Sequence, residues 1–438
     1  MAPGAHRRAA AGGNDPDRWR GERSVHHGRH HADPQDQDPA RPDPGLDLGG
    51  VGGRRRSDGD DPRGQRHRDG RLDDRADDPL LSVGVVHGSE TPVRRIVVLG
   101  GRGFFGSAAT ERLRAEGLRP LVASRRSGFD LRVDVENRAS LKSALRQGDV
   151  VLDAAGPFQK RTTAVIEAAL ETGFDVVDLS DSLRYAERVA DLRLRIDAAG
   201  IRVLTSCSSI SAVSATALRL SGLEEPGRLS LVLLPATRAT AHGATAASLL
   251  ESVGRPIRVL RDRRLVERRG WREPRNFRWP ARGRRIRAYP CESADALHLP
   301  PLCPSLRRVD FYVDARAPGL NLALSLATRS EPVRRAIAAL RPLGIALCRL
   351  FGSRSGGMLY EIEGSNGAIV TVALLAPRGS YLVAVAPAIL ATRALAQGRF
   401  TATGLVPHDR HAEAGVLVDY LGRLGVDLVT TRHGRRSA

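Results

Sequence analysis

The chain has 438 residues, of which 41% are hydrophobic and 27% charged, and its 68 Lys+Arg against 49 Asp+Glu leave a formal net charge of +19. That length allows two or three domains, each with a core of its own. The charge suggests a polyanion partner, but Lys142 and Lys160 are the only lysines and aromatics make up 4%; such an arginine skew fits a GC-rich coding bias, and too few rings exist for a base-stacking platform, so no nucleic-acid partner is expected.

Residues 1–92 contain no Ile, Phe or Tyr, and tracts such as HADPQDQDPARPDPG and GGRRRSDGDDPRGQRHRDG repeat Arg, Asp, Gly, Pro and His. Such a segment buries too little apolar surface to offset its ordering entropy, and it is expected to be a disordered arm. His26, His27, His30 and His31 lack the fixed spacing of a metal site, so no metal is expected. The arm reads equally well as translated upstream sequence ahead of a working protein that begins near residues 83–93.

Residues 96–106 read IVVLGGRGFFG. An apolar strand run ends in Gly101, Gly103 and Gly106, and a helix is expected directly behind it at 107–116. In that context the glycines allow a tight turn, a close approach to a pyrophosphate and close helix–strand packing. The second strand, at 120–124, ends in Ser124, Arg125 and Arg126, where an acidic residue would bind the free 2′-hydroxyl of NAD. Arginines there suit a 2′-phosphate, so NADP (NADPH) is the expected cofactor.

Further strands are expected at 131–133, 150–154, 176–179 and 202–205, with helices at 140–146, 162–172 and 185–199 between them. Gly117, Gly148, Gly173 and Gly200 sit where helices should stop. Alternation of this kind makes a Rossmann-type parallel sheet, residues 93–220, with ligands beyond its carboxyl edge. The positions just after the strands are therefore the candidate contacts: Asp134 at the adenine edge, then Ala155, Gly156 and Pro157, then Asp178 to Asp181. The Ser206–Ser214 segment leads into a helix whose N-terminus could receive an anionic substrate group. Phe104 and Phe105 join Gly101, Gly103 and Gly106 as cofactor contacts.

Past residue 220 the pattern changes to strands at 229–234, 309–313, 359–363 and 368–375 with helices at 245–253 and 331–351, an expected α+β domain with an antiparallel sheet over 221–380. The arginine-dense segment 261–287, with Trp271, Phe277 and Trp279, reads as solvated loop edges anchored by tryptophans. The GSRSGG stretch, with Arg354, could cradle an anionic group. Residues 381–438 should hold helices at 387–397 and 413–424 that pack back on the first domain. Cys207, Cys291, Cys303 and Cys348 show no zinc or redox spacing and read as free thiols. No apolar run reaches the roughly 18 residues of a membrane span; with no export signal legible, a cytoplasmic location is expected.

GGRGFFG, DVVLDAAGPFQ with TTAVIEAALETGFDVVDLSD, AGIRVLTSCSSISAVSATAL, GSRSGGM and APAILATRALAQG together resemble the saccharopine dehydrogenase-like oxidoreductases. The resemblance implies an NADP-binding domain, a mixed second domain with a small-molecule substrate at the boundary, and often a homodimer. It does not imply saccharopine as substrate. The family's usual Pro-Cys turn is replaced here by GLVPHDR, with His408 after Pro407. Tyr185, Asp181, Cys207 and His242 are the candidate acid–base groups, and with none of them obligatory, a non-catalytic NADP-binding sensor stands beside the enzyme as the alternative.

Overall fold

The structure is a computed structural model and describes residues 93–280 and 283–433. The expected arm, residues 1–92, lies outside the described residues, as do the histidines within it.

The first half of the described chain contributes β1 (Ile96–Leu99), β2 (Leu121–Ser124), β3 (Leu131–Arg132), β4 (Val150–Asp153), β5 (Asp175–Asp178) and β6 (Arg202–Leu204). The second half adds β7 (Pro226–Leu234), β8 (Pro256–Arg261), β9 (Arg264–Arg269), β10 (Arg275–Arg278), β11 (Arg285–Cys291), β12 (Arg308–Val313), β13 (Gly356–Gly364), β14 (Ile369–Ala376), β15 (Gly404–Leu405) and β16 (Asp427–His433). One sheet is wholly parallel, in the order β15-β6-β5-β4-β1-β2-β3. It is the Rossmann order with one strand appended at the β6 edge. Its central strands read IVVL, VVLD and DVVD and are buried at every position, because helices cover both faces of a parallel sheet.

The other sheet belongs to the α+β part and runs β10-β11-β12-β7-β13-β14-β16, with β8 and β9 attached at β12. It is mixed, not antiparallel throughout: β7 and β12 pair in parallel from Arg228↔Arg308 to Leu233↔Val313. The arginine-dense segment is also a correction, since it folds as β9, β10 and β11 where solvated loops were expected. In β11 the arginines Arg285 and Arg287 point to solvent while Ile286 and Ala288 are buried. Trp271 is 1% exposed and stacks on Tyr289, with ring centroids 5.0 Å apart. Strand alternation thus survives with arginine as the polar partner.

Two expected helices are each divided. The 185–199 segment forms Leu183–Asp191 and Arg193–Ala199, and 331–351 forms Glu331–Ala339 and Arg341–Phe351. In the second case Pro342 occupies the first turn of the new helix, where its missing N–H is tolerated and its ring bars the preceding helix from continuing. The helix Tyr381–Ala396, buried almost all round, lies between the sheets: it packs on the helix Phe104–Ala115 and on β4, β5 and β14. Arg393 Nη1 donates to Glu116 at 2.7 Å, and Tyr420 Oη donates to the same carboxylate at 2.5 Å. One apolar core joins Ile96 and Val98 of the parallel sheet to Leu229, Met358 and Ile389.

Candidate functional site

The bend after β1 is set by close packing. Gly100 has φ +68, and a Cβ on it would stand 2.8 Å from the Ala155 nitrogen. A Cβ on Gly106 would lie 2.3 Å from the Gly100 carbonyl oxygen, so only glycine lets the helix Phe104–Ala115 start this close to the strand. The N-cap, Gly103, offers no side-chain cap, and the first turn holds no acidic residue. The first-turn N–H groups and the positive end of the helix dipole therefore remain open to an anion.

A cavity of about 1550 Å³ opens at this helix start. Gly103, Phe104 and Phe105 line it, and Gly101 and Gly106 lie behind it as packing residues. Ser124, Arg125, Arg126, Asp134, Ala155, Gly156 and Pro157 line it as well. Arg125 and Arg126 are exposed, and no carboxylate among the described residues pairs with either. The Ser124 hydroxyl accepts from the Arg126 amide at 3.2 Å, which shapes the turn that presents them. Asp134 is committed to its own loop: its Oδ1 accepts from Glu136 N, and its own amide donates to Ser140 Oγ.

Under the loop after β4 lies Arg161, 5% exposed. It forks onto the fully buried Asp153, with Nη2 2.9 Å from Oδ2, donates to the Ala155 carbonyl at 2.5 Å and pairs with Glu136 at 2.5 Å. Burial works against its charge, but the Asp153 and Glu136 carboxylates outweigh that and hold the guanidinium ionised. Arg161 thereby fixes the backbone of Ala155 and Gly156 at the cavity wall. Sequence reasoning missed this role, although the residue sits three positions beyond the quoted GPF.

The acid–base candidates separate. Asp181 and His242 line the cavity; Tyr185 and Cys207 do not. Tyr185 is wholly buried against Phe158, its hydroxyl without a partner, and Cys207 is wholly buried in the joint core. Burial pushes the Cys207 thiol far above its ordinary range, which rules out a thiolate there at neutral pH. Asp181 accepts from Gln159 Nε2 at 3.0 Å and from Ser248 Oγ at 3.1 Å, and Gln159 Nε2 also donates to Ser248 at 2.6 Å. Burial raises the Asp181 carboxyl against the opposing pull of these bonds. Gln159 Oε1 is buried with no partner, an acceptor left for a ligand. His242 stacks on Phe104 at 4.8 Å and accepts at Nδ1 from Arg349 at 2.9 Å. Phe104 therefore leans toward the second domain, and the cavity lining runs unbroken past it from Ser124 to Ser208.

Two expected anion sites are filled from within. The helix Ala212–Leu220 starts against Asp295, whose Oδ1 accepts from Ser211 N at 2.6 Å and from Ser211 Oγ at 3.0 Å; an internal carboxylate already occupies that end. In GSRSGG the glycines serve contact: a Cβ on Gly356 would meet the Leu234 carbonyl at 2.2 Å where β13 crosses β7. His408, at the altered turn, stacks on His298 at 3.9 Å, and His411 follows at 4.8 Å. Among the described residues no cluster of side chains is suited to a metal ion, and no helix is long and apolar enough to cross a membrane.

An open helix start, two unpaired arginines at the β2 end and an orphaned buried acceptor fit a nicotinamide dinucleotide. Residues 96–204 match the family model described as the saccharopine dehydrogenase NADP binding domain. No curated protein matches the chain. Among solved structures it is similar to apo saccharopine dehydrogenase (L-Glu forming) from Saccharomyces cerevisiae, at 15% identity and TM-score 0.51 over 77% of this chain and 99% of that one. It is similar also to homospermidine synthase from Legionella pneumophila in complex with NAD, at 11% identity and TM-score 0.54 over 77% of this chain and 91% of that one. At such identities these likenesses speak for the fold. The family model thus identifies residues 96–204 as a domain for a nicotinamide dinucleotide, and the two solved structures share the fold of the chain around it.

Proposed function

We propose that the protein is an NADP-dependent oxidoreductase acting on a carbonyl or imine carbon of a small molecule. The observation that carries this reading is one cavity shared by the bare helix start at Gly103, the unpaired Arg125 and Arg126, and the half-buried carboxyl of Asp181. When bound, the nicotinamide ring supplies or takes up the hydride at C4. The chain's own residues do the rest. Amides at Phe104 and Phe105 hold the diphosphate beside Gly103; Ser124, Arg125 and Arg126 hold the 2′-phosphate, and Asp134, Ala155, Gly156 and Pro157 bound the cofactor's bed. Asp181, its carboxyl raised by burial, is the group placed to exchange a proton with the substrate heteroatom, and Gln159 and Ser248 aim it. In this reading residues 93–220 bind the cofactor, 221–380 bind the substrate, and 381–438 brace the first part.

Titration of the full chain with NADPH and NADH tests the assignment. NADPH should bind about 10- to 100-fold tighter, the worth of one or two charge-assisted hydrogen bonds at a partly exposed site. Arg125→Ala with Arg126→Ala should erase the gap, and equal affinity in the parent protein would refute it. The burial of Tyr185 and Cys207 favours one competing reading, a cofactor-binding sensor. Tight NADPH binding without oxidation by any carbonyl or imine would establish that one.

A further inference from the structure

The cavity is larger than a cofactor crevice. At about 1550 Å³ it exceeds the roughly 300–1,000 Å³ of a usual small-ligand site, and its lining continues past Asp181 and His242 beneath the helices Gly243–Ser252, Leu320–Ala327 and Arg341–Phe351. This far part is mainly apolar, although Arg341 also lines it. Leu249, Leu320, Leu324 and Ile337 form one side of it. On the other side stand Leu340, Leu343, Leu347 and Phe351, whose spacing of three and four residues puts them on one face of the last helix. All four line the cavity, yet they are 59%, 55%, 47% and 66% exposed. Among the described residues no element covers them.

A row of large apolar side chains facing a cavity is what a hydrocarbon ligand covers and a small polar one leaves wet. The carboxylates nearby do not contradict this. Glu251 pairs with Arg255, and Glu292 accepts from the Arg258 amide at 3.0 Å. The apolar helix is also tied to the reacting end: Arg349 donates to the Ala241 carbonyl at 3.0 Å and to His242, which stacks on Phe104 at the cofactor turn.

We propose that this half of the cavity holds a long hydrocarbon chain, so that the substrate is a fatty carbonyl compound whose reacting carbon lies by Asp181 and whose chain runs along Leu340, Leu343, Leu347 and Phe351. The proposal rests on the oxidoreductase reading above. Reduction adds the hydride of the reduced nucleotide to the carbonyl carbon and a proton to its oxygen, giving the alcohol and the oxidised nucleotide.

The test uses the full chain, an aldehyde series from butanal to dodecanal with NADPH, and direct fluorescence titration with cis-parinaric acid. KM should fall about four-fold per added methylene while the chain lies inside the cavity. Leu343→Asp with Leu347→Asp should flatten the series and weaken parinaric acid binding by at least about ten-fold, on the same per-methylene worth. NADPH affinity, unchanged in that variant, reports that the fold is intact. Parinaric acid binding that the variant abolishes supports the chamber even if no aldehyde turns over. Tight NADPH binding with no parinaric acid binding and no chain-length trend overturns the inference and leaves the oxidoreductase reading standing, whereas failure to bind NADPH removes the reading itself. If the variant instead turns a dimer into a monomer in sedimentation while parinaric acid binding is unaltered, the leucine row is a subunit contact and the proposal falls.

Discussion

Replacing His411 should reshape the acid stability of the protein by a calculable amount. His298, His408 and His411 are stacked and buried where the turn after β15 meets the short helix Asp295–His298. Burial pushes His298 down to about 3 and His411 down to about 4, and it lowers His408 as well, with neighbouring imidazoles and Arg193 adding to the effect. The other titratable group at this contact is Asp295, raised by burial to about 6 despite bonds from Ser211 and Ser214. In the unfolded chain a histidine titrates near 6.5, so below that pH the unfolded state binds protons that the native state refuses. The stability held by a neutral His411 is thus fully present above pH 6.5 and is lost as pH falls toward 4. Between pH 7 and 5 the loss is about 1.4 kcal/mol for each of 1.5 pH units, or about 2 kcal/mol. His411→Leu gives up the bond to the Val406 carbonyl at every pH but is spared this titration. Urea unfolding followed by circular dichroism should show the wild type ahead at pH 7, with its lead shrinking by about 2 kcal/mol at pH 5. Asp295 titrates in the opposite sense in both proteins and cancels in the difference. Parallel stability curves across that interval would refute the argument.

Other substitutions probe the site. Arg161→Met should lower stability by about 3–5 kcal/mol, because Asp153 is left buried without its cation; an unchanged thermal midpoint would show that Asp153 needs no such partner. Gly106→Ala places a methyl 2.3 Å from a backbone oxygen, and isothermal titration should show NADPH affinity reduced at least about ten-fold as the helix start is pushed off the strand. Asp181→Asn keeps the size and most of the bonds to Gln159 and Ser248 but cannot exchange a proton. It should cut kcat about 100-fold in stopped-flow NADPH oxidation with NADPH Kd unchanged; full activity would remove Asp181 from the proton path.

The cofactor half of the molecule was legible because its signals are local. IVVLGGRGFFG contains strand, bend and helix start within eleven positions, and VVLD and DVVD announce strands buried on both faces. The second sheet was harder to read. β9 and β10 bury few side chains, and arginine at their exposed positions imitates a loop, so the pairing that defines them comes from partners far along the chain. The parallel pairing of β7 with β12 likewise joins segments about 80 residues apart, a distance no local pattern spans. Within the site, Asp181 and His242 could be named from their place after a strand or near the domain boundary. Ser248 carried no signal, since a serine in a helix of small residues gains meaning only when Gln159 and Asp181 arrive beside it. Nothing in the Ser206–Ser214 segment revealed that Asp295, more than 80 positions on, would close the helix end it leads into.

The last fifty-odd described residues give the molecule a clasp. The helix Tyr381–Ala396 is wedged between the sheets, β15 completes the rim of one and β16 the rim of the other, and Arg94 at the start of the described chain donates through its amide to the Ala396 carbonyl at 2.8 Å. Severed from its tail, the matched region, 96–204, would bare the flank of the helix Phe104–Ala115 and the open edge of β6. A chain stopped near residue 380 would lack those contacts, and the apolar surface left bare should cost the nucleotide-binding half part of its stability.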